Sequence, residues 1–147
     1  MKVRIKRMNV RAEMPSKKYT SDFCWDVKAV SEEEVAPNVW KYGLGFAAEI
    51  EREEMSKRHL YCLSFRPRSS VWKTGMVLSN CVGTIDSDYR GEISAVFYHV
   101  MPNMPRYKVG DRIGQIYLSR GRKVEFESAE ELGETARGTG GYGSTGK

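Results

Sequence analysis

Short β-type runs separated by turn residues recur along this 147-residue chain, and they limit its fold more than any other feature. Prolines fall between the runs, where a missing backbone N–H disrupts no strand pairing. The best helical candidate, Glu49–Leu60, has no continuous apolar stripe. We therefore predict an all-β, antiparallel sandwich or jelly roll. Its predicted strands are Val3–Val10, Phe23–Val30, Tyr61–Phe65, Gly75–Leu78, Glu92–Val100, Arg112–Leu118 and Lys123–Phe126.

The chain divides into one body and a glycine-rich end. Residues 1–135 contain no linker and no internal repeat, and they have the size of a single domain. Arg137–Lys147 combines five glycines with hydroxyl and cationic side chains and has no acidic group. Such a segment can wrap a polyphosphate, because glycine lets backbone N–H groups converge on a ligand. The alternative interpretation of residues 136–147 is a flexible tail.

The net charge of +5 is concentrated at one end of the chain. Residues 1–18 carry seven Lys and Arg side chains against Glu13 alone, so the rest of the chain is close to neutral. The basic residues are not interleaved with aromatic ones as in single-strand binders, which disfavours a nucleic acid partner. A solvated edge strand protected by Lys and Arg explains this end better.

Three cysteines and the absence of long apolar runs indicate the cellular location of the protein. Cys24, Cys62 and Cys81 are odd in number and widely spaced, which is typical of reduced thiols in a cytoplasmic protein. No apolar run approaches the roughly 18–20 residues that span a bilayer, so we expect no membrane partner. The sequence has neither an H-x-x-x-H pair nor a C-x-x-C pair, which argues against a zinc site.

Three polar segments interrupt the predicted strands, and each has two interpretations. Arg66-Pro67-Arg68-Ser69-Ser70 could form a phosphate nest or a Ser-rich β-turn with a surface arginine. Asp86 and Asp88, on one side of a hairpin, could bind a metal or supply a general base, or they could belong to an Asx-rich turn. Gln115, predicted on the same face as Ile113, must find a hydrogen-bond partner, a ligand or solvent.

The order and spacing of these segments resemble the trimeric dUTPase family from about Met14 to the end of the chain. That family has five motifs in fixed order, of which the third and fifth are highly specific. Their counterparts here are Trp25-Asp26-Val27, Pro67-Arg68-Ser69-Ser70, Gly83–Glu92, Gly110–Gln115 and Arg137–Gly146.

The resemblance implies a dUTPase-like β-clip, a jelly-roll homotrimer with its active sites between subunits. It also implies hydrolysis of dUTP to dUMP and diphosphate by attack of water on the α-phosphorus, with Mg²⁺ on the triphosphate. The reaction would supply dUMP for dTMP synthesis and keep uracil out of DNA. Asp86 would be the general base that activates the water, and Asp26 would be linked to metal-bound water.

The resemblance assigns the other site residues to three groups. A uracil slot would be lined by Asn80, Gly83, Thr84, Ile85 and Ser94, with Tyr89 packed under the deoxyribose to exclude a 2′-OH. The phosphate oxygens would be gripped by Arg68, Ser69, Ser70 and Gln115. The C-terminal lid would close through Arg137, Tyr142, Gly143, Ser144 and Thr145, with Tyr142 stacked on uracil.

Two other functions stay open at this point. A dCTP deaminase, or a bifunctional deaminase–phosphatase, shares the fold but typically carries a different third motif, so Asp86-Ser87-Asp88-Tyr89 favours dUTP hydrolysis. A regulatory protein could act through partner contacts at the basic N-terminal strand or at Glu49–Glu54. Trp25, Gly114 and Tyr142 depart from the usual family residues, and none of them removes a functional group from the expected site.

Overall fold

Antiparallel strands carry the fold of the computed structural model, which describes residues 1–51 and 59–141. The helical structure in these ranges is a single 3-10 turn, Val71–Thr74, and no helix in them is long and apolar enough to cross a membrane. The strands are β1 (Val3–Arg7), β2 (Trp25–Lys28), β3 (Ser31–Ala36), β4 (Val39–Gly43), β5 (Phe46–Ile50), β6 (His59–Pro67), β7 (Met76–Leu78), β8 (Gly83–Asp86), β9 (Ser94–His99) and β10 (Arg112–Arg122).

Two four-stranded sheets enclose the core. One has the strand order β2-β10-β6-β8 and the other β3-β4-β9-β7, and all their pairings are antiparallel. An edge-to-face contact joins them, with the ring centroids of Phe65 and Phe97 6.3 Å apart, and Tyr107 from the β9–β10 connection packs on Phe97 at 5.4 Å. Such pairs stabilise a core beyond the area that they bury. This arrangement confirms the predicted all-β, antiparallel fold.

The basic N-terminal strand is paired along its length with β5, and its Arg4 meets two acidic side chains. β1 and β5 form a separate two-stranded sheet in which Val3 lies opposite Ile50. Arg4 makes ion pairs with Glu49 (3.6 Å) and Glu51 (3.2 Å). Both acidic side chains belong to the Glu49–Glu54 stretch. Part of the charge at each candidate contact surface is therefore neutralised within the chain.

The sequence-based strand prediction found six of the elements and missed four. β3 was missed because three consecutive glutamates hide any alternation on this edge strand. β4 and β5 are short runs bounded by Asn38 and Gly45, both with positive φ. β8 contains Gly83 and Asp86 and was interpreted as a turn, yet it pairs with β6 over four residues. The predicted strand Lys123–Phe126 is wrong, since these residues are exposed and unpaired.

The close approach of β10 to the core requires glycine at position 114. A Cβ atom on Gly114 would lie 2.1 Å from the Phe65 ring and 2.7 Å from the carbonyl oxygen of Arg66. Phe65 is only 2% exposed and cannot move outward without opening the core. The packing of Phe65 therefore explains why this chain has glycine at position 114.

We predict that Gly114→Ala lowers the free energy of unfolding by about 1–3 kcal/mol, because the added methyl overpacks the core. Gly121→Ala is a matched control on the same strand, since no atom lies within 4 Å of a Cβ built there. The control is expected to stay within about 0.5 kcal/mol of wild type. Urea denaturation measures both, and an unchanged midpoint for Gly114→Ala would contradict the packing argument.

Candidate functional site

Asp26 is the centre of a cluster that joins three of the sequence motifs. Its Oδ1 accepts a hydrogen bond from Gln115 Nε2 at 3.0 Å, and its Oδ2 accepts one from Arg112 at 2.9 Å. Arg68 Nε lies 4.0 Å from Oδ1. Two cations and an amide thus surround one carboxylate that is 15% exposed. We call these four residues the Asp26 cluster.

A β-bulge in β10 assembles this cluster. The register against β2 pairs Arg112 with Lys28 and Gln115 with Asp26, with a shift between positions 112 and 114. A bulge inserts one residue, so two side chains three positions apart reach the same side. The prediction that Gln115 shares a face with Ile113 is wrong for this reason, since Ile113 is fully buried in the core and Gln115 bonds to Asp26.

The Asp26 backbone is fixed on both sides. On β10 it lies opposite Gln115, and on its other side it exchanges hydrogen bonds with Ser16 at 2.7 and 3.1 Å. The second motif follows β6 as a tight turn, with Val71 N bonded to Arg68 O at 2.9 Å. In this turn Ser69 is exposed and Ser70 half-buried. Rigid backbone on each element therefore sets the spacing of these side chains.

The third motif forms a pocket at the other edge of the same sheet. The pocket has a volume of about 200 Å³ and is lined by Thr84, Ile85, Asp86, Tyr89, Glu92, Ile93 and Ser94. We call it the Asp86 pocket. Tyr89 closes over Gly91 and donates a hydrogen bond from its hydroxyl to the Glu92 carbonyl at 3.1 Å. The aromatic wall of the pocket is therefore held in place.

A larger hollow of about 580 Å³ adjoins the same strand end. Asp86 and Asp88 both line it, together with Cys62 and Thr84. The predicted shared side of the two carboxylates is therefore seen in this hollow. Asp86 is exposed and makes no ion pair with any described residue.

Two residues that shape the Asp86 pocket were not singled out from the sequence. Arg90 donates hydrogen bonds to the carbonyls of Ser87 (2.8 Å) and Tyr89 (3.0 Å) and reaches Glu49 at 3.3 Å. Glu92 accepts a hydrogen bond from the backbone N–H of Gly45 at 2.8 Å. Arg90 and Glu92, two opposite charges on either side of Gly91, were a sequence signal for these roles. Their partners Glu49 and Gly45 are distant in sequence and could not be inferred from it.

The remaining predicted site residues lie elsewhere or outside the described ranges. Asn80 is exposed in the turn before β8 and does not line the Asp86 pocket. Gly83 is buried at the start of β8 opposite Phe65. Arg137 bonds to Gly140 within the C-terminal arm and makes no contact with either cluster. The predicted lid residues Tyr142, Gly143, Ser144 and Thr145 fall outside the described residues.

The Asp26 cluster and the Asp86 pocket lie on one face of one sheet but at opposite edges. Gln115 of β10 is paired with Asp26 of β2 on one side and with Arg66 of β6 on the other. Cys62, four residues before Arg66 on β6, is paired with Asp86 of β8. Paired residues, and residues four apart on a strand, point to the same side. Three strand spacings and four residues along β6 then separate the two carboxylates by roughly 20 Å.

Polar side chains cover the face between the two sites. Arg66 donates a hydrogen bond to the Tyr117 hydroxyl at 2.6 Å, and the Ser64 and Ser119 hydroxyls are 2.7 Å apart. The pKa of Tyr117 lies below its usual range, chiefly through hydrogen bonding with Ser119 and further through Ser64 and Arg66, although burial opposes the shift. This face is therefore polar and internally bonded rather than apolar.

A sequence model of the dUTPase family matches residues 10–146. Three bacterial relatives are named deoxyuridine 5′-triphosphate nucleotidohydrolase. Those of Wolinella succinogenes and Nautilia profundicola are each 36% identical, and the alignments cover 100% of this chain and 95% and 100% of theirs. That of Helicobacter pylori strain P12 is 33% identical over 99% of this chain and 97% of its own.

Solved phage structures have a similar fold. A mutant dUTPase of Staphylococcus bacteriophage 80alpha with dUpNHpp superposes with a TM-score of 0.78 at 21% identity, covering 99% of both chains. A mutant dUTPase of S. aureus phage phi11, described with a structural Mg(II) ion, gives 0.71 at 17% identity, covering 91% of this chain and 100% of that one. These likenesses confirm the predicted jelly-roll fold.

We predict that Glu92→Ala lowers the free energy of unfolding by about 1–3 kcal/mol, because the part-buried Gly45 N–H loses its acceptor. Glu92→Gln keeps a carbonyl oxygen at this position and serves as the control, with a smaller loss expected. Thermal unfolding of the three proteins measures the effect. Equal losses in both variants would show that the hydrogen bond is not what Glu92 contributes.

Proposed function

This chain belongs to the dUTPase family, and on that premise we propose that it hydrolyses dUTP to dUMP and diphosphate by attack of water on the α-phosphorus. The observation that carries the proposal is the Asp86 pocket, which combines an unpaired carboxylate with a fixed tyrosine wall. The reaction supplies dUMP for dTMP synthesis and keeps uracil out of DNA.

Asp86 is the general base in this proposal. Its carboxylate is exposed at the end of β8 and has no competing cation among residues 1–51 and 59–141. It can therefore orient a water molecule and accept its proton. A positioned base contributes on the order of 10²–10⁴ to the rate. The rest comes from positioning and from charge stabilisation at the triphosphate.

The wall and strand of the Asp86 pocket select the nucleoside. The free edge of β8 at Thr84 and Ile85 offers backbone groups to the uracil ring, and Ser94 lines the same pocket. A slot built to hydrogen-bond one base edge rejects a base that offers a donor in place of an acceptor. The Tyr89 ring, held by Glu92, leaves no space for a 2′-OH. Asn80 contributes from the adjoining turn.

The second and fourth motifs bind the phosphates. Arg68 offers a guanidinium fork, Ser69 and Ser70 offer hydroxyls, and Gln115 offers an amide. Charge-assisted bonds from an arginine fork are the strong contacts to phosphate oxygens. These groups lie on rigid elements, which lowers the entropic cost of gripping the substrate.

In this proposal Mg²⁺ would be bound by the triphosphate of the substrate, with Asp26 beside it. The described part of the chain holds no group of three or more His, Cys, Asp or Glu side chains that could bind a metal ion. Both oxygens of Asp26 already accept hydrogen bonds, so this carboxylate fits a role toward metal-bound water better than direct ligation. Mg²⁺ on the triphosphate neutralises phosphate charge and orients the chain of phosphates.

The working site is shared between copies of the chain. A triphosphate cannot reach both clusters of one chain across roughly 20 Å, since they lie at opposite edges of a sheet. The Asp86 pocket of one copy against the Asp26 cluster of the next completes the site. Such a head-to-tail contact closes into a ring, here a homotrimer.

The C-terminal arm carries the lid. Residues 121–139 are exposed throughout, including Phe126 (94%) and Leu132 (88%). Large apolar side chains exposed on an extended segment favour packing on another copy. Residues 136–147 then close over the nucleotide, with Tyr142 on the base and Arg137, Gly143, Ser144 and Thr145 toward the terminal phosphate. Ordering the lid costs about 1–2 kcal/mol per residue, which bound triphosphate offsets.

Charge pairing and free thiols support the expected location and partners. The described cysteines are all free, which fits the reducing cytoplasm. Arg4 in the basic N-terminal strand is engaged by Glu49 and Glu51, which argues against a strand built to bind nucleic acid. A regulatory protein partner would be an added role and is not needed to explain these contacts.

We expect wild-type protein to release diphosphate from dUTP and not from dCTP, dTTP or UTP. Asp86→Asn should reduce the dUTP rate by about 10²–10⁴, because the amide cannot accept the proton from water. Asp88→Asn is a neighbouring control with a smaller expected loss. A diphosphate-release assay measures all three proteins, and full activity in Asp86→Asn, or ammonia release from dCTP, would overturn the proposal.

We predict that two inactive variants complement each other. Asp86→Asn and Arg68→Gln subunits, unfolded together and refolded as a mixture, should recover about a quarter of wild-type activity, since random assembly makes that share of sites intact. The same variants refolded separately and then mixed are the control. Activity that stays at the average of the two inactive variants would contradict a shared site.

A further inference from the structure

The three donors around Asp26 hold it unequally. Arg112 and Gln115 are at hydrogen-bond distance, 2.9 and 3.0 Å from separate carboxylate oxygens. Arg68 Nε is 4.0 Å away and makes no hydrogen bond to Asp26. Each oxygen of the carboxylate therefore has a near donor before Arg68 approaches.

Arg112 is anchored independently of the cluster. The preceding turn is closed by hydrogen bonds from Gly110 N to Ala29 O at 2.8 Å and from Ala29 N to Asp111 O at 3.0 Å. Asp111 also accepts a hydrogen bond from Lys108 N at 2.8 Å. With the bulge that follows, this framework fixes the Cα of Arg112 beside Asp26. Arg112 can hold the carboxylate without ordering any other loop.

Arg68 faces two competing anions when a phosphate chain arrives. The Asp26 side chain is only 15% exposed, so water screens its carboxylate weakly. A carboxylate with a free oxygen would draw the Arg68 fork into a bidentate pair. Donors used in that pair would be lost to the phosphate oxygens. Gln115 bonds to Oδ1, the oxygen measured 4.0 Å from Arg68, and Arg112 bonds to Oδ2, so neither oxygen is left free for a bidentate pair with Arg68.

We propose that Arg112 is a positioning residue that holds Asp26 and so keeps the Arg68 guanidinium available for the triphosphate. The proposal rests on the dUTP hydrolysis proposed above. Arg112 acts through Asp26 rather than by contact with the reacting phosphorus. Its loss lets Asp26 capture Arg68 and weakens triphosphate binding, while the Asp86 pocket, at the other edge of the sheet, keeps its affinity for the nucleoside.

The test compares two ligands on Arg112→Gln by calorimetry, with Mg²⁺ and with EDTA. The dissociation constant of a non-hydrolysable dUTP analogue should rise about tenfold, as expected for the loss of a charged hydrogen-bond partner. That of deoxyuridine, which has no phosphate, should stay within about twofold. Arg120→Gln, on the same strand and without an ion pair among the described residues, controls for the loss of one positive charge.

The Asp26→Asn background separates this role from direct phosphate contact. Asparagine does not compete for Arg68, so adding Arg112→Gln to Asp26→Asn should cause no further loss of triphosphate affinity. An equal loss in both backgrounds would mean that Arg112 binds phosphate itself, and an equal loss for deoxyuridine would mean a general structural role. Either result overturns the proposal, as does unchanged affinity in Arg112→Gln. Wild-type protein that binds no triphosphate would overturn the proposed function as well.

Discussion

The packing of Phe65 is the constraint on which the rest of the structure depends. Its ring lies between the two sheets, against Phe97 and beneath the backbone of Gly114. Gly83 lies opposite it on β8, where a Cβ would approach its side chain to 3.2 Å. Because the third and fourth motifs each place a glycine against the same ring, the elements that carry Asp86 and Gln115 take their positions from one buried aromatic residue.

The Asp26 cluster and the Asp86 pocket differ in their charge. The Asp26 cluster sets two cations and an amide around a single carboxylate, which leaves an excess of positive charge. The Asp86 pocket has an unpaired carboxylate at a strand end, where a water molecule can meet it. If both regions carried cations, they could bind phosphate but could not activate water. If both carried only free carboxylates, they could activate water but could not bind phosphate. Within one chain, the sheet keeps the Asp86 carboxylate away from the cations of the Asp26 cluster.

Much of this could be predicted from the sequence because the signals are local. Proline and glycine punctuation and the β-branched runs predicted the strand-rich fold, and the third motif located Asp86 and Tyr89 in one pocket. The strands β3 and β8 could not be predicted, since glutamates and a Gly-Thr-Ile-Asp run become strands only through their partners. The contact between Arg112 and Asp26 could not be predicted, because regular alternation places the Arg112 and Gln115 side chains on different faces of β10. The bulge in β10 brings both side chains to the same face.

The sequence by itself determined the all-β class, the order of the motifs and the chemical groups available for a nucleotide. These follow from residue type and spacing, because each residue type has its own preference for strands or turns. The tertiary structure alone decided that Asp26 is held by Arg112 and Gln115, that Arg90 and Glu92 brace the third motif, and that the Asp26 and Asp86 carboxylates are roughly 20 Å apart in one chain. Strand register and bulges bring together residues that are distant in sequence, and no local sequence pattern specifies which two strands pair.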